Sequence, residues 1–433
     1  MTLEGEIYMD FSALTKESAI QYITECTDLF SKDAKLSVYE IGDGEEDGDG
    51  FVNFVFRIWD ETGKSVILKQ ARSYAKQFGK KSGCSTFDPE RNALEAKAMM
   101  IKQAITPEYL PEIYHFDEKN HLYICEDAGK LPILRFSLIK GEMYPKLDHM
   151  LAEYLAKGNF YTSDYYLDPE EKRKLQVCFM NSHLRHVFET ILFLWDEHIR
   201  PEHDPHILYE GSDALSWSDK VWNNKDLRIE LLKLRDIHMK RADCLVHGDL
   251  HTSNILTDGN ELKIIDMEYA YFGPASSDMG YLIGSCLYEY LRWNFVDEFT
   301  PEKREELSLY KLNSIRQMLT DYMEIYKACW LKDARKTYKP YPELCDYLLK
   351  EWLKEVTGYA GCQPLSRVGR LVSLPDYDTI TDPKRRELAQ KQILVLSQYL
   401  VMHREEVESV DDLINMISCK SKEILAMLTF LDK

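Results

Sequence analysis

The hydrophobic pattern of this 433-residue chain changes period once, near residue 127, and that change constrains the fold more than any other feature. Before it, the apolar residues fall in short runs. Residues 15–30 carry apolar positions at helical spacing behind a plausible cap, Thr15. Residues 51–59 (FVNFVFRIW) and 65–71 (SVILKQA) are rich in aromatic and β-branched side chains and flank an ETGK turn, which reads as a hairpin. Residues 88–104 form a second helical pattern with acids near its start. Residues 110–117 and 121–127 read as two short strands around Lys119-Asn120. After residue 127 long helical patterns take over, at 172–198, 226–240, 301–331, 341–359, 384–403 and 410–431. The expected architecture is α+β and bilobal. Residues 1–126 make a small antiparallel sheet with one main helix, and residues 127–433 make a larger, mostly helical lobe. A chain of this length exceeds the usual size of a single core, and clefts between lobes are where small-molecule sites gather.

The single break in the helical stretch, residues 244–270, reads as a loop and two short strands about an Asp258-Gly259 turn, and it carries the chemistry. VHGDLHTSN places His247, Asp249 and Asn254 close together; Asp266 follows twelve residues after Asn254, and Glu268 two residues later. Each pair alone is common in turns and on solvated strand faces. Together they match what phosphoryl transfer from ATP requires. A carboxylate must orient the attacking hydroxyl and take its proton, which Asp249 can do. Magnesium between the phosphates needs hard oxygen ligands, which Asn254, Asp266 and Glu268 supply. Residues two apart share one face of a strand, so Asp266 and Glu268 are expected to point together. A cation should steady the α and β phosphates. Lys69 fits, at the end of an apolar strand, with Glu95 of the following helix preferred over Glu90 as its counter-charge. The YICED stretch would be the hinge, where backbone groups near Glu126 read the adenine.

An acidic, glycine-rich turn precedes the Lys69 strand, with Gly-Asp-Gly at 42–44 and again at 48–50. Calcium is the first chemistry it suggests. Counted from Asp43, the acids Glu45 and Asp47 and the sixth-place Gly48 suit an EF-hand loop, but the twelfth place is Phe54, which offers no oxygen. A solvated hairpin turn and a backbone cradle for phosphate remain. Its place just before the Lys69 strand favours the cradle, with the Gly48 and Gly50 backbone making the approach and Glu45 and Glu46 facing solvent.

Composition narrows the partners. With 73 acidic against 54 basic residues and a formal net charge of −19, the chain lacks the cationic face that nucleic acid demands. Ten cysteines include no CxxC pair, so neither zinc nor a disulfide framework is indicated and a reducing cytoplasm is expected. The first residues have neither a basic nor an apolar leader segment, and no apolar run approaches the ~20 residues that span a bilayer.

Three stretches carry a resemblance to the kinase-like fold of choline kinases and aminoglycoside phosphotransferases, and within it to the S-methyl-5-thioribose kinase family. DGDGFVNFVFRI is similar to that family's GDG-x-x-N lid, VHGDLHTSN with IIDMEYAYFGPASSDMG is similar to its catalytic and metal segments, and YAGCQPLSRVGRLVSL to a segment near its C-terminus. The resemblance implies a protein-kinase-like fold and transfer from ATP, with Mg2+, to the 1-hydroxyl of methylthioribose or a related 5-modified pentose in methionine salvage. It implies a homodimer, Asp249 as base, Asp266 and Glu268 as metal ligands, and Asn53 in the nucleotide lid. Two departures stand out. Ser253-Asn254 replaces a glycine-serine pair. The family's two adjacent sugar-binding arginines correspond to Ser366-Arg367, with Arg370 one turn later, so Arg367 and Arg370 are the expected acceptor ligands. An amine-bearing acceptor of the choline or aminoglycoside kind is the alternative enzyme reading, and a catalytically inactive nucleotide-binding protein is the non-enzyme one.

Overall fold

The computed structural model describes residues 13–42, 53–74, 88–194, 210–370 and 374–431. The acidic turn, with Gly48 and Gly50, lies outside the described residues. The chain divides into two compact units, Met1–Lys130 and Leu131–Lys433.

Among its described residues the first unit is an antiparallel sheet of five strands, one more than the sequence pattern suggests, with two helices. Its elements are α1 (Lys16–Cys26), β1 (Ser37–Ile41), β2 (Phe54–Trp59), β3 (Ser65–Gln70), α2 (Arg91–Gln103), β4 (Ile113–Asp117) and β5 (Leu122–Glu126), with strand order β1-β2-β3-β5-β4. Thr15 closes α1 with a capping box, its hydroxyl accepting from Ser18 N and its own amide donating to the Ser18 hydroxyl. Burial alternates strictly along β2, with Phe54, Phe56 and Ile58 inside. Those three join Val66, Leu68, Leu122, Ile124 and the Tyr22 and Ile23 side chains of α1 in one core. The opposite residues of β3 and β5, among them Lys69 paired in register with Tyr123, face the other way. α2 packs against β4 and β5.

The second unit is mostly helical: α3 (Leu134–Ile139), α4 (Leu147–Tyr161), α5 (Pro169–Cys178), α6 (Ser182–Leu192), α7 (Ala214–Trp222), α8 (Lys225–Lys240), α9 (Ser277–Arg292), α10 (Pro301–Asp333), α11 (Pro342–Val368), α12 (Pro375–Asp378), α13 (Pro383–His403) and α14 (Val410–Leu431). Two small antiparallel ladders interrupt it. β6 (Cys244–Val246) pairs with β9 (Tyr271–Gly273), and β7 (Ile255–Thr257) pairs with β8 (Leu262–Ile264).

Three expectations are corrected here. The single helix expected over 172–198 is two, broken where Asn181 takes a left-handed conformation (φ 40°) that ends one helix and starts the next. The helix expected over 341–359 continues through Pro364 to Val368, so the segment carrying Arg367 is helical. Pro364 is tolerated because close packing against α9 and α13 holds both sides of the turn it disturbs. Finally, Asp266 and Glu268 do not lie on a strand: β8 stops at Ile264, and Asp266 has φ +68°. Aspartate is among the few side chains that adopt this conformation readily.

α9 is buried along its whole length and lies against α11. The approach is so close that a Cβ on Gly280 would sit 2.4 Å from the Tyr359 Cβ and 2.7 Å from the Val356 carbonyl oxygen. Only glycine fits that contact.

Candidate active site

In the first unit, Lys69 is 8% exposed and its Nζ lies 2.7 Å from Oε1 of Glu95, which is fully buried. The same helix face adds Asn92, whose Nδ2 donates to the Lys69 carbonyl at 3.2 Å. Glu95 and Asn92 are three apart and therefore neighbours on α2; the pairing of Asn92 was missed by reading the charges alone. Asn53 is buried and accepts at Oδ1 from Arg91 Nη2 (2.8 Å). Glu126 ends β5, and its amide N–H is committed to the Glu112 carbonyl at 2.8 Å. Any donor to an adenine in this segment must therefore come from a neighbouring residue.

In the second unit, two loops are stapled together. One leaves β6 and carries His247 to Asn254; the other leaves β8 and carries Ile265 to Ala270. His247 is fully buried, and burial pushes its pKa down, so the ring is neutral. Its Nδ1 accepts from the Asp249 amide (3.3 Å), which leaves Nε2 to donate to the Ile265 carbonyl (2.9 Å). Ile265 N donates in turn to the Asn254 carbonyl (3.1 Å). Gly248 has φ +88°, and a Cβ there would meet the Tyr269 carbonyl oxygen at 2.3 Å. The turn carrying Asp249 thus requires glycine just before it.

Two side chains that sequence reasoning left without a role hold these loops. Asp278, in the first turn of α9, accepts from the amides of His247 (2.7 Å) and Gly248 (3.0 Å). Asn181, at the break between α5 and α6, donates through Nδ2 to the carbonyls of Glu268 (2.8 Å) and Ala270 (3.0 Å). An asparagine followed by serine inside an apparent helix was the available signal for the second, since both residues favour caps.

The result gathers Asp249, Asn254, Asp266 and Glu268. Tyr269, on the second loop, has its ionisation pushed far up by burial and then by the charges of Glu268, Asp249 and Asp266. Asn254 donates through Nδ2 to the Asp249 carbonyl (2.9 Å), which leaves its amide oxygen as the group able to face a cation. Among the described residues no three His, Cys, Asp or Glu side chains converge tightly enough to hold a metal unaided. Magnesium needs no such cage. It keeps several waters and binds through one or two carboxylates plus substrate phosphates, and the hard oxygens of Asp266, Glu268 and Asn254 fit that partial shell.

Arg367, in the last turn of α11, belongs to the same neighbourhood. Tyr281 of α9, against the opposing pull of burial, and then Asp249 hold the guanidinium firmly charged. The Tyr281 hydroxyl is in turn pushed up to about 12, by burial first and the Asp249 charge second. Arg370 is half-buried, its ionisation drawn down by burial and by Arg367, and its Nε and Nη2 have no hydrogen-bond partner among the described residues. Ser366 is buried and donates to the Gln363 carbonyl, so it turns away from any ligand. Trp222, unassigned from the sequence, donates to the Gly369 carbonyl (2.9 Å) beside Ser218 (2.7 Å), fixing the end of α11 between the two arginines.

Glu289 of α9 and Asp376 of α12 form a buried acid pair, with Arg135 Nε 3.4 Å from Asp376 Oδ2. Burial and then the Asp376 charge raise the Glu289 pKa well above the usual carboxylate range, so Glu289 is held protonated, although neither carboxyl group has a hydrogen-bond partner among the described residues. A carboxyl whose folded pKa is raised contributes its full stability below its unfolded value, near 4.5, and loses it as pH rises. Glu289→Gln keeps the size of the side chain, is neutral at every pH and removes that dependence. Its melting temperature should exceed the wild-type value by an amount that grows from pH 5 to pH 8, ~2 °C for each kcal/mol recovered in a unit this large. A gap that stays constant with pH would mean Glu289 is not the group titrating.

The chain's similarity to known proteins agrees with this geometry. The Phosphotransferase enzyme family matches residues 168–317. The methylthioribose kinase of Bacillus cereus (strain AH187) is 32% identical over 402 residues, 92% of this chain and 95% of that one. The methylthioribose kinase of Bacillus mycoides (strain KBAB4) is 32% identical over 406 residues, 93% and 96% of the two chains. Among solved structures, an ethanolamine kinase of Plasmodium vivax aligns over 90% of this chain and 95% of its own at 15% identity and a TM-score of 0.47, a likeness too distant to carry residue roles. Near-complete coverage at this identity places both units within one homologous whole: the chain belongs to the methylthioribose kinase family of phosphotransferases.

Proposed function

We propose that this protein transfers the γ-phosphoryl group of ATP to the 1-hydroxyl of S-methyl-5-thioribose. The observation that carries the reading is the joint placement of Asp249 and the Arg367 guanidinium beside the loop that holds Asp266 and Glu268. In this reading Asp249 accepts the proton of the acceptor hydroxyl as its oxygen attacks the γ-phosphorus, the bond to the β-phosphate bridging oxygen breaks, and ADP leaves. Asn254, Asp266 and Glu268 hold magnesium, which neutralises charge on the phosphates. Lys69, oriented by Glu95, steadies the α and β phosphates; Asn53 and the backbone near Gly48, Gly50 and Glu126 complete nucleotide binding. The first unit is then the nucleotide-binding domain, and the second the catalytic and acceptor-binding one. A cation at position 367 favours a neutral sugar over the amine-bearing alcohols of choline or aminoglycoside kinases, since like charges repel at short range.

Turnover of ATP against methylthioribose, ribose, choline and kanamycin tests the acceptor. Methylthioribose should be used best, and preferential use of choline or kanamycin would overturn the reading. Arg367→Ala should raise KM for the sugar about 10- to 100-fold, the worth of one or two charge-assisted hydrogen bonds, with KM for ATP changed less than about twofold; equal effects on both would make Arg367 structural. Methionine salvage, a cytoplasmic location and a homodimer belong to the same proposal. No helix among the described residues is long and apolar enough to cross a membrane. Light scattering should give twice the 50.7 kDa of one chain.

A further inference from the structure

His251 has no part in the scheme above, yet it stands two residues past Asp249 and is only 9% exposed. Its Nδ1 accepts from the Ser253 amide at 3.2 Å, capping the short 3-10 turn Thr252–Asn254. With that lone pair engaged, the proton of the neutral ring sits on Nε2. Nε2 lies 3.7 Å from Asp249 Oδ2, while the ring leans on Tyr281 with centroids 6.4 Å apart. His247 shows the contrast. It has the same Nδ1 pattern, but its Nε2–H is spent on the Ile265 carbonyl. The Nε2–H of His251 is aimed at a carboxylate instead.

A separation of 3.7 Å is longer than a formed N–H···O bond. Contacts to a catalytic base are often this long without ligands and tighten in the reacting complex. We propose that His251 is a positioning residue for Asp249. In the reacting complex its Nε2–H donates to Oδ2, which leaves Oδ1 turned to the acceptor hydroxyl whose proton it takes. The proton on Nε2 stays on His251 throughout. This inference rests on Asp249 being the base.

Two substitutions separate the halves of the ring. His251→Asn keeps an acceptor near the Nδ1 position for Ser253 N and removes the Nε2 donor. His251→Gln places an amide donor near the Nε2 position and removes the cap. His251→Asn should lower kcat about tenfold, the worth of one hydrogen bond to a charged group, with KM for ATP and sugar within about twofold and an unchanged melting temperature. His251→Gln should melt lower and keep kcat within about threefold of wild type. In an Asp249→Asn background, His251→Asn should cost nothing more in single-turnover rate, because residues acting as a unit are non-additive. Full kcat in His251→Asn, an equal loss in both variants, or an undiminished loss in the Asp249→Asn background would each overturn the assignment. An active Asp249→Asn single variant would instead defeat the base itself, whatever His251 does.

Discussion

Asp249→Asn should lower kcat by ~10²–10⁴-fold while leaving ATP affinity within about twofold. The change is isosteric and removes the negative charge and, with it, the ability to take a proton. The backbone around position 249 is held by groups the substitution does not touch: the amide donates to His247 Nδ1 and the carbonyl accepts from Asn254. The turn therefore survives, and so should the placement of Asn254, Asp266 and Glu268. Coupled ADP release measures turnover, and calorimetry with ATP measures affinity. Near wild-type turnover would remove Asp249 from the role of base; a collapse in ATP affinity would mean that it acts on the nucleotide.

Lys69→Met should cost the first unit ~3–5 kcal/mol of stability, the usual penalty for leaving one member of a buried ion pair without its partner. Glu95 is fully enclosed, and its Oε1 loses the ammonium 2.7 Å away. ATP affinity should fall as well, since the proposed cation for the α and β phosphates is gone. The double variant Lys69→Met with Glu95→Leu separates these effects. Replacing both charges with apolar side chains restores much of the stability, but it cannot restore phosphate binding. Denaturant unfolding and ATP affinity on the three proteins check this. Recovery of ATP affinity in the double variant would show that Lys69 serves the fold alone.

The elements legible in the sequence were those whose patterns are local. The β2–β3 hairpin announces itself by aromatic and β-branched runs on either side of an ETGK turn, and α1 by Thr15 placed before apolar residues at helical spacing. The helices with one wet face, such as α8, α13 and α14, were read nearly to the residue. α4 and α9 were not, because a helix buried on most or all sides has no polar stripe for a period to reveal. Asn181 was hidden inside an apparently continuous helix, and β1 is a half-buried strand separated in sequence from its antiparallel partner β2 by the long acidic stretch.

The site divides along the same line. The residue types proposed for the chemistry were legible in the chain, a carboxylate at 249 and side-chain oxygens at 254, 266 and 268, and so was the Lys69–Glu95 pair that the structure forms, because reactions demand particular functional groups at short, recurring separations. How those groups are aimed was decided only in three dimensions. Asp266 takes a left-handed backbone, and the grip of Asp278 on two amides, the reach of Asn181 to two carbonyls and the proximity of Arg367 to Asp249 each join segments tens to more than a hundred residues apart. Such contacts depend on which surfaces the packed helices bring together, and no local pattern of side chains encodes that.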